Sequence, residues 1–93
     1  MKFKILPGAV RDLKEIRDYT AADDSVAAAQ VVERIIKSFD LLSARPDIGR
    51  PMAGKPIRVW SIPGLPYVVA YRVSAQIYIL RVYHTRRKLP PEW

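Results

Sequence analysis

Residues 25–42, SVAAAQVVERIIKSFDLL, carry apolar side chains at the spacing of an amphipathic helix. The apolar positions at offsets of zero, four, seven, eleven and fourteen residues are Ala28, Val32, Ile35, Phe39 and Leu42. Because this spacing returns to one side of a helix with 3.6 residues per turn, it predicts a helix with one buried face. Asp24 or Ser25 can cap its first turn, since both side chains accept hydrogen bonds from free backbone N–H groups.

The segment before this helix predicts a strand followed by another helix. Residues 2–6, KFKIL, alternate lysine with apolar side chains, as a strand with one buried face does. Pro7 suits the first position of a helix, which we expect to end near Asp23. Its acidic side chains alternate with basic ones, which is typical of a solvated face; the acidic residues are Asp12, Glu15 and Asp18.

The segment after residue 44 changes in composition. Residues 45–56, RPDIGRPMAGKP, contain three prolines and two glycines and therefore predict a connecting loop. Three runs rich in β-branched and aromatic residues then predict strands over 57–62, 67–73 and 76–84. Residues 85–93 form a polar, proline-bearing tail.

The order of these segments predicts an α+β fold for a single domain over residues 1–93. The elements run β-α-α-β-β-β, with a helical hairpin (within residues 1–44) packed on one face of a small antiparallel sheet whose last three strands lie within 57–84. Regular alternation along the last strand would place Arg81 on the same side as Ile77 and Ile79, and His84 on the opposite side. That geometry separates Arg81 from His84.

The charge of the chain is unevenly distributed. Residues 1–44 hold seven basic and seven acidic side chains, whereas residues 45–93 hold nine basic and two acidic ones, so the net charge of +7 lies in the second half. Such a concentration predicts a polyanionic or acidic partner. The chain has no cysteine and one histidine, so we expect no metal site and no other cofactor. Neither a signal peptide nor a membrane-spanning run is present, which predicts a cytoplasmic protein with no membrane partner.

The basic half also contains the candidate contact residues for a target or partner. They are Arg58, Trp60, Arg72, Arg81, His84, Arg86, Arg87 and Lys88. Arginine binds phosphate and carboxylate groups through forked donors, and an exposed tryptophan supplies apolar contact area. An ordinary solvated sheet face would carry the same residue types.

An alternative is cleavage of RNA through its 2′-hydroxyl. That reaction needs a base, an acid and cations that stabilise the charge on phosphorus. Under this hypothesis the catalytic residues are His84, Arg81, Arg58 and Tyr83. A third possibility is a basic module that binds nucleic acid and has no further effect.

Several residues, in order along nearly the whole chain, resemble the RelE/ParE superfamily of bacterial toxins, in its ParE-like, plasmid-stabilisation branch. In the first half they are Ala9, Asp12, Leu13, Ile16, Tyr19, Ala28, Ile35, Ile36, Phe39 and Leu42. In the second half they are Pro46, Gly49, Arg50, Arg58, Tyr67, Tyr71, Arg81, Val82, His84 and Arg87.

The resemblance implies a toxin of a type II toxin-antitoxin system that is neutralised by a cognate, ParD-like antitoxin. The ParE branch is associated with inhibition of DNA gyrase, and the RelE branch with ribosome-dependent cleavage of mRNA. The loop at 45–56 has Asp47 and Lys55 but neither the glutamate nor the lysine pair of RelE-like nucleases. This difference favours a non-enzymatic, gyrase-directed toxin over a nuclease that acts on the ribosome and mRNA.

Overall fold

The computed structural model describes residues 2–86. Within this range the chain forms five strands, two α-helices and one short 3-10 helix. They are β1 (Phe3–Ile5), α1 (Pro7–Ala21), α2 (Ser25–Ala44), the 3-10 helix (Pro46–Ile48), β2 (Arg50–Pro51), β3 (Arg58–Ser61), β4 (Tyr67–Val73) and β5 (Ile77–His84). The predicted α+β class and the β-α-α-β-β-β order are confirmed, and β2 is a short addition within the predicted loop.

The strands described here form a single sheet in the order β1-β5-β4-β3-β2. Three of its pairings are antiparallel, as predicted, but β1 pairs with β5 in parallel. A parallel pair needs a long crossover connection. The helical hairpin and the intervening strands supply that connection, so the first and last strands of the chain become neighbours and the sheet is mixed.

The two helices begin with different signals. Pro7 occupies the first position of α1, where the missing N–H of proline costs no hydrogen bond. At the start of α2 the Asp24 carboxylate accepts hydrogen bonds from the N–H groups of Val26 (3.0 Å) and Ala27 (3.1 Å). Asp24 is therefore the cap of the second helix, one of the two residues that the sequence predicted.

The helical hairpin covers one face of the sheet, and the core lies between them. Ile35, Phe39 and Leu42 of α2 have no exposed surface. The Phe39 ring meets the edge of the Phe3 ring in β1, with 5.7 Å between the ring centroids. Each such buried side chain stabilises the fold by roughly 1.5–3 kcal/mol. The predicted apolar stripe of α2 is therefore the face that holds the hairpin on the sheet.

No helix within residues 2–86 combines the length and the apolar character that crossing a membrane requires.

Candidate functional site

A β-bulge interrupts β5 halfway along its length. Tyr71 of β4 pairs with Ile79, whereas the preceding residue of β4, Ala70, pairs with Arg81. Leu80 is therefore an extra residue in the ladder. A bulge of this kind moves the following side chains to the opposite faces of the sheet.

The bulge decides which side chains of β5 face the helices. Val82 lies opposite Val69, and both belong to the buried core. Arg81 lies opposite Ala70 and Tyr83 opposite Val68, so both side chains leave β5 on the side opposite to Val69 and Val82, which we call the open face. Because β1 has ended at Ile79, the Arg81 guanidinium still reaches Asp12 of α1 past the edge of β5. The predicted alternation, with Arg81 on the same side as Ile77 and Ile79, is therefore wrong beyond the bulge.

Asp12 of α1 occupies the edge of β5 beyond the end of β1. Its carboxylate accepts hydrogen bonds from Arg81 Nε (2.7 Å), from Arg81 Nη2 (3.1 Å) and from the backbone N–H of Val82 (2.9 Å). β1 pairs with β5 only as far as Ile79, so Asp12 satisfies a backbone group that the strand leaves without a ladder partner. Arg81 thus joins α1 to the sheet.

The sequence interpretation of Asp12 as a solvated residue is wrong, because Asp12 is 4% exposed. A local signal for this burial exists. Asp12 follows the buried Ala9 by three residues and precedes the buried Ile16 by four, so all three lie on the same side of α1. An acidic residue on an apolar helix face needs a buried partner, and Arg81 is that partner.

Arg58 of β3 is engaged by the turn that precedes β2. Its Nη1 atom donates a hydrogen bond to the carbonyl oxygen of Gly49 at 2.7 Å and makes a longer contact of 3.5 Å with that of Asp47. The guanidinium of this predicted contact residue therefore holds the backbone of the 3-10 turn in place.

Tyr71 fixes the same turn from the core side. Its hydroxyl donates to the carbonyl oxygen of Pro46 (2.7 Å) and accepts from the N–H of Gly49 (2.9 Å). Burial raises the pKa of Tyr71 above its ordinary value, although the hydrogen bond from Gly49 acts in the opposite direction. Together, Tyr71 and Arg58 fix the turn that leads into β2, and hence the position of Arg50, the first residue of that strand.

Trp60 lies on the same side of β3 as Arg58, as the alternation of the sequence predicted. It is opposite Val69, half-buried, and packed against the core cluster. Trp60 is also among the residues that line a cleft on the open face, and part of its surface remains exposed.

Arg72 lies at the other end of the sheet from His84. Its guanidinium carbon stands over the Tyr78 ring, 4.9 Å from the ring centroid. Arg72 pairs with Tyr78, whereas His84 pairs with Tyr67. Six residues of β5 therefore separate the two positions, which corresponds to about 20 Å along a strand. The structure does not bring Arg72 together with the residues at the end of β5.

His84 ends β5 and is held on two sides. Its ring meets that of Tyr67 edge to face, with 5.7 Å between the centroids and 83° between the planes. Its Nδ1 atom accepts a hydrogen bond from the backbone N–H of Arg86 at 3.1 Å. Arg86 is exposed. The predicted contact residues Arg87 and Lys88 lie outside the described residues.

A first cleft, of about 500 Å³, lies between α1 and the end of β5. It is lined by Asp12, Glu15, Ile16, Tyr19, Tyr67, Val82, Tyr83 and His84. Two of these residues are acidic, and Asp12 is already paired with Arg81. Tyr19 is 80% exposed, so one wall of the cleft is open to a partner.

A second cleft, of about 440 Å³, lies on the open face. It is lined by Ile48, Arg50, Val59, Trp60, Ser61, Val68, Tyr83 and Thr85. Arg50 is the one charged side chain among these lining residues, and none of them is acidic. An apolar floor with a cation and hydroxyl groups at its margin suits a partner that combines apolar and negatively charged groups.

The position of Arg50 follows from the register of four strands. Arg50 pairs with Val59, Val59 with Ala70, and Ala70 with Arg81, so the two arginines stand at the ends of one row across the open face. Arg50 was not among the predicted contact residues. It lies within residues 45–56, whose composition predicts a loop. The one sequence feature that pointed to Arg50 was its place, with Gly49, among the residues that resemble the RelE/ParE superfamily.

The four residues of the nuclease hypothesis stand in separate contacts. Arg58 binds the 3-10 turn, Arg81 binds Asp12, and His84 packs on Tyr67. Burial raises the pKa of Tyr83 to about 12, with a smaller opposing effect of the Arg81 charge. A phenol in that state keeps its proton at neutral pH. Within residues 2–86, no group of three or more histidine or acidic side chains is arranged to hold a metal ion.

Known proteins resemble this chain in both sequence and fold. Residues 3–89 match the family described as ParE toxin of type II toxin-antitoxin system, parDE. The candidate toxin Y4kP of Sinorhizobium fredii is 40% identical over 82 residues, which cover 88% of this chain and 85% of that protein. A chain of the chromosomal ParDE toxin-antitoxin system from P. aeruginosa superposes with a TM-score of 0.79 at 26% identity, over 90% of this chain and 95% of that one. The chain therefore belongs to the ParE toxin family of type II toxin-antitoxin systems.

Proposed function

We propose that this ParE-family toxin acts in the cytoplasm by inhibiting DNA gyrase, and that a cognate ParD-like antitoxin neutralises it. The observation that supports a binding mechanism is the open-face cleft, where Arg50 stands beside an apolar floor and none of the described lining residues is acidic. A surface of this kind is suited to contact with a large partner, because complementary charge orients the encounter and apolar burial stabilises it.

The basic residues of the second half contribute to this contact to different degrees. Arg50 and Arg86 have exposed side chains at the cleft and at the end of β5, and Arg87 and Lys88 follow in sequence. Arg58 and Arg81 are committed to internal hydrogen bonds and act chiefly by shaping the surface. Trp60 contributes the exposed part of its surface to the proposed contact.

The antitoxin competes for the same region in this proposal. A segment with acidic and apolar side chains would pair with Arg50 and bury the exposed part of Trp60. Charge pairs at a rim are screened by salt, whereas apolar burial is not, so binding should weaken with salt without disappearing. A small acidic protein encoded beside this chain is the antitoxin to test.

The experiment that tests the target is expression of the chain alone in bacteria. Gyrase inhibition predicts DNA breaks with gyrase covalently attached to their ends, recovered by precipitation of gyrase from lysed cells. Intact DNA together with truncated messages would instead support the ribosome-dependent nuclease. Intact DNA and intact messages would leave only the non-toxic binding module.

A charge-reversed variant tests the open-face cleft itself. Arg50→Glu should abolish gyrase-linked breaks, because it places a carboxylate where the proposed partner has negative groups. Lys55→Glu is the matched control, since it makes the same charge change on an exposed residue outside the cleft. Equal loss of breaks in both variants, with both proteins folded, would reject the cleft as the contact surface.

A further inference from the structure

The turn at the end of β5 is closed by a histidine side chain instead of by the backbone alone. His84 Nδ1 accepts the N–H of Arg86, two residues further on, at 3.1 Å. Asparagine and aspartate close turns with the same connectivity, through a side-chain oxygen that accepts the N–H two residues ahead. Nδ1 is bonded to Cγ, as that oxygen is, so the imidazole takes the place of an asparagine in this turn.

The rest of the turn holds His84 in one position. The N–H of Thr85 donates to the carbonyl oxygen of Pro66 at 2.9 Å, which attaches the turn to the start of β4. The His84 ring packs edge to face on Tyr67, which is 9% exposed. Because both anchors belong to the β4 side of the sheet, the hydrogen bond from Arg86 determines how the backbone leaves β5.

This hydrogen bond requires one protonation state of the imidazole. A nitrogen that accepts an N–H must present its lone pair, so the neutral ring carries its proton on Nε2. Protonation of Nδ1 turns the acceptor into a donor that faces the N–H of Arg86. Histidine is the side chain that changes charge between pH 5 and 8. The turn is therefore closed with a neutral imidazole and opened with an imidazolium.

The titratable groups that share a cleft with His84 come from three elements. Tyr67 of β4 and Tyr83 of β5 contribute phenol groups, and Asp12, Glu15 and Tyr19 of α1 line the same cleft.

Two of the residues that line this cleft with His84 are acidic. Asp12 is compensated by Arg81, whereas no cation within residues 2–86 forms an ion pair with Glu15. In an imidazolium the Nδ1–H group would face the backbone N–H of Arg86, so the hydrogen bond that closes the turn is lost.

We infer that His84 is a positioning residue whose neutral imidazole closes the Thr85–Arg86 turn, and that its protonation releases Arg86. The consequence for target contact rests on the proposed function, because Arg86 leads directly into Arg87 and Lys88. The turn itself does not depend on that function. His84 thereby acts on Arg86 through backbone geometry and not through proton transfer.

Nuclear magnetic resonance on the full chain tests this inference between pH 5 and 8. The amide resonance of Arg86 should shift with the same midpoint as the ring protons of His84, while the amide of Ser74, which donates to the carbonyl oxygen of Gln76 in the turn before β5, should not follow that midpoint. The hydrogen-exchange protection factor of the Arg86 amide should fall about five- to tenfold from pH 8 to pH 5.5, which is the effect of losing one hydrogen bond. An Arg86 amide that ignores the titration of His84 would overturn the inference.

Two variants separate positioning from simple packing. His84→Asn retains an acceptor at all pH values, so the Arg86 amide should stay protected at both pH 5.5 and pH 8. His84→Phe retains an aromatic ring against Tyr67 but has no acceptor, so the amide should be unprotected at both. If the two variants protect Arg86 equally, His84 serves only as packing and the inference fails.

The same measurements distinguish this inference from the proposed function. If expression of the chain produces no gyrase-linked breaks and yet Arg86 follows the titration of His84, the proposed target is wrong and the positioning role stands. If breaks occur and Arg86 does not respond, the target stands and the positioning role is wrong.

Discussion

Asp12 and Arg81 are 69 residues apart in sequence, and their side chains are joined by two hydrogen bonds of 2.7 Å and 3.1 Å. The Asp12 side chain is 5% exposed and that of Arg81 is 27% exposed. The pair connects α1 to β5 at the point where β1 has ended. Arg81, which the sequence presents as a contact residue, is therefore part of the structure that holds the helical hairpin on the sheet.

Removal of the guanidinium should destabilise the fold strongly. Arg81→Ala leaves the buried carboxylate of Asp12 without its cation, and we expect the free energy of unfolding to fall by about 3 kcal/mol. Urea unfolding followed by circular dichroism measures this loss. Arg72→Ala is the matched control, because that arginine is exposed and contacts only the half-buried Tyr78 ring among the interactions described, and its loss should cost less than about 1 kcal/mol. Equal losses in the two variants would contradict a structural role for Arg81.

A methyl group at Gly49 should disturb the 3-10 turn. A Cβ at this position would overlap the Tyr71 hydroxyl and lie 2.7 Å and 2.8 Å from two carbons of its ring. We expect Gly49→Ala to lower the free energy of unfolding by about 1–3 kcal/mol, as overpacking in a core does. The double variant with Tyr71→Phe should lose less than the sum of the two single losses, because removal of the hydroxyl relieves part of the overlap. Strict additivity in denaturant unfolding would show that the two residues do not compete for space.

Alkaline pH should destabilise the protein through Tyr83. Burial raises the pKa of its phenol to about 12 in the folded chain, against about 10 when the chain is unfolded. The unfolded state therefore releases this proton first, and stability that is complete below pH 10 is lost as the pH rises toward 12. Linkage sets the loss at about 2–3 kcal/mol.

Tyr83→Phe isolates this effect, because it leaves Tyr71 and the other tyrosines in place. Urea unfolding between pH 9 and pH 12 should show a shallower decline of stability for the variant than for the parent chain. Parallel declines would mean that Tyr83 ionises equally easily in the folded and unfolded states.

Loss of the helix cap should weaken the hairpin by a smaller amount. Asp24→Ala removes the acceptor of two backbone N–H groups at the start of α2, and we expect a cost of about 1 kcal/mol. Asp23→Ala removes an equal charge from the neighbouring residue and should change stability by less than about 0.5 kcal/mol. Thermal unfolding of the two variants measures the difference. A larger loss from Asp23 would assign the cap to the wrong residue.

The elements of the fold were predictable because their signals are local. The stripe of Ile35, Phe39 and Leu42 returns every three or four residues, and any helix that contains it must bury that side. Pro7 marks a helix start because its ring fixes the backbone angle and its missing N–H is not needed there. Asp24 marks the other because its carboxylate accepts from backbone N–H groups within one turn. The strands of the second half follow in the same way from β-branched and aromatic runs between prolines and glycines.

The arrangement of the candidate site was less predictable because it depends on register. One extra residue, Leu80, turns Arg81 to the open face and Val82 into the core, and no local pattern in β5 marks it. Arg50 reaches the open face because a two-residue strand pairs with β3. That strand lies in a segment whose composition indicates a loop.

Amino-acid order alone was sufficient for the α+β class, the succession of the elements, the start of the second helix and the basic second half, because periodicity, capping and charge are properties of neighbouring residues. Tertiary structure alone decided that β1 and β5 run in parallel, that Asp12 binds Arg81, and that Arg58 supports a turn. These features join residues that are distant in sequence, and the free energy of burying one charged or polar group depends on which partner the fold brings to it.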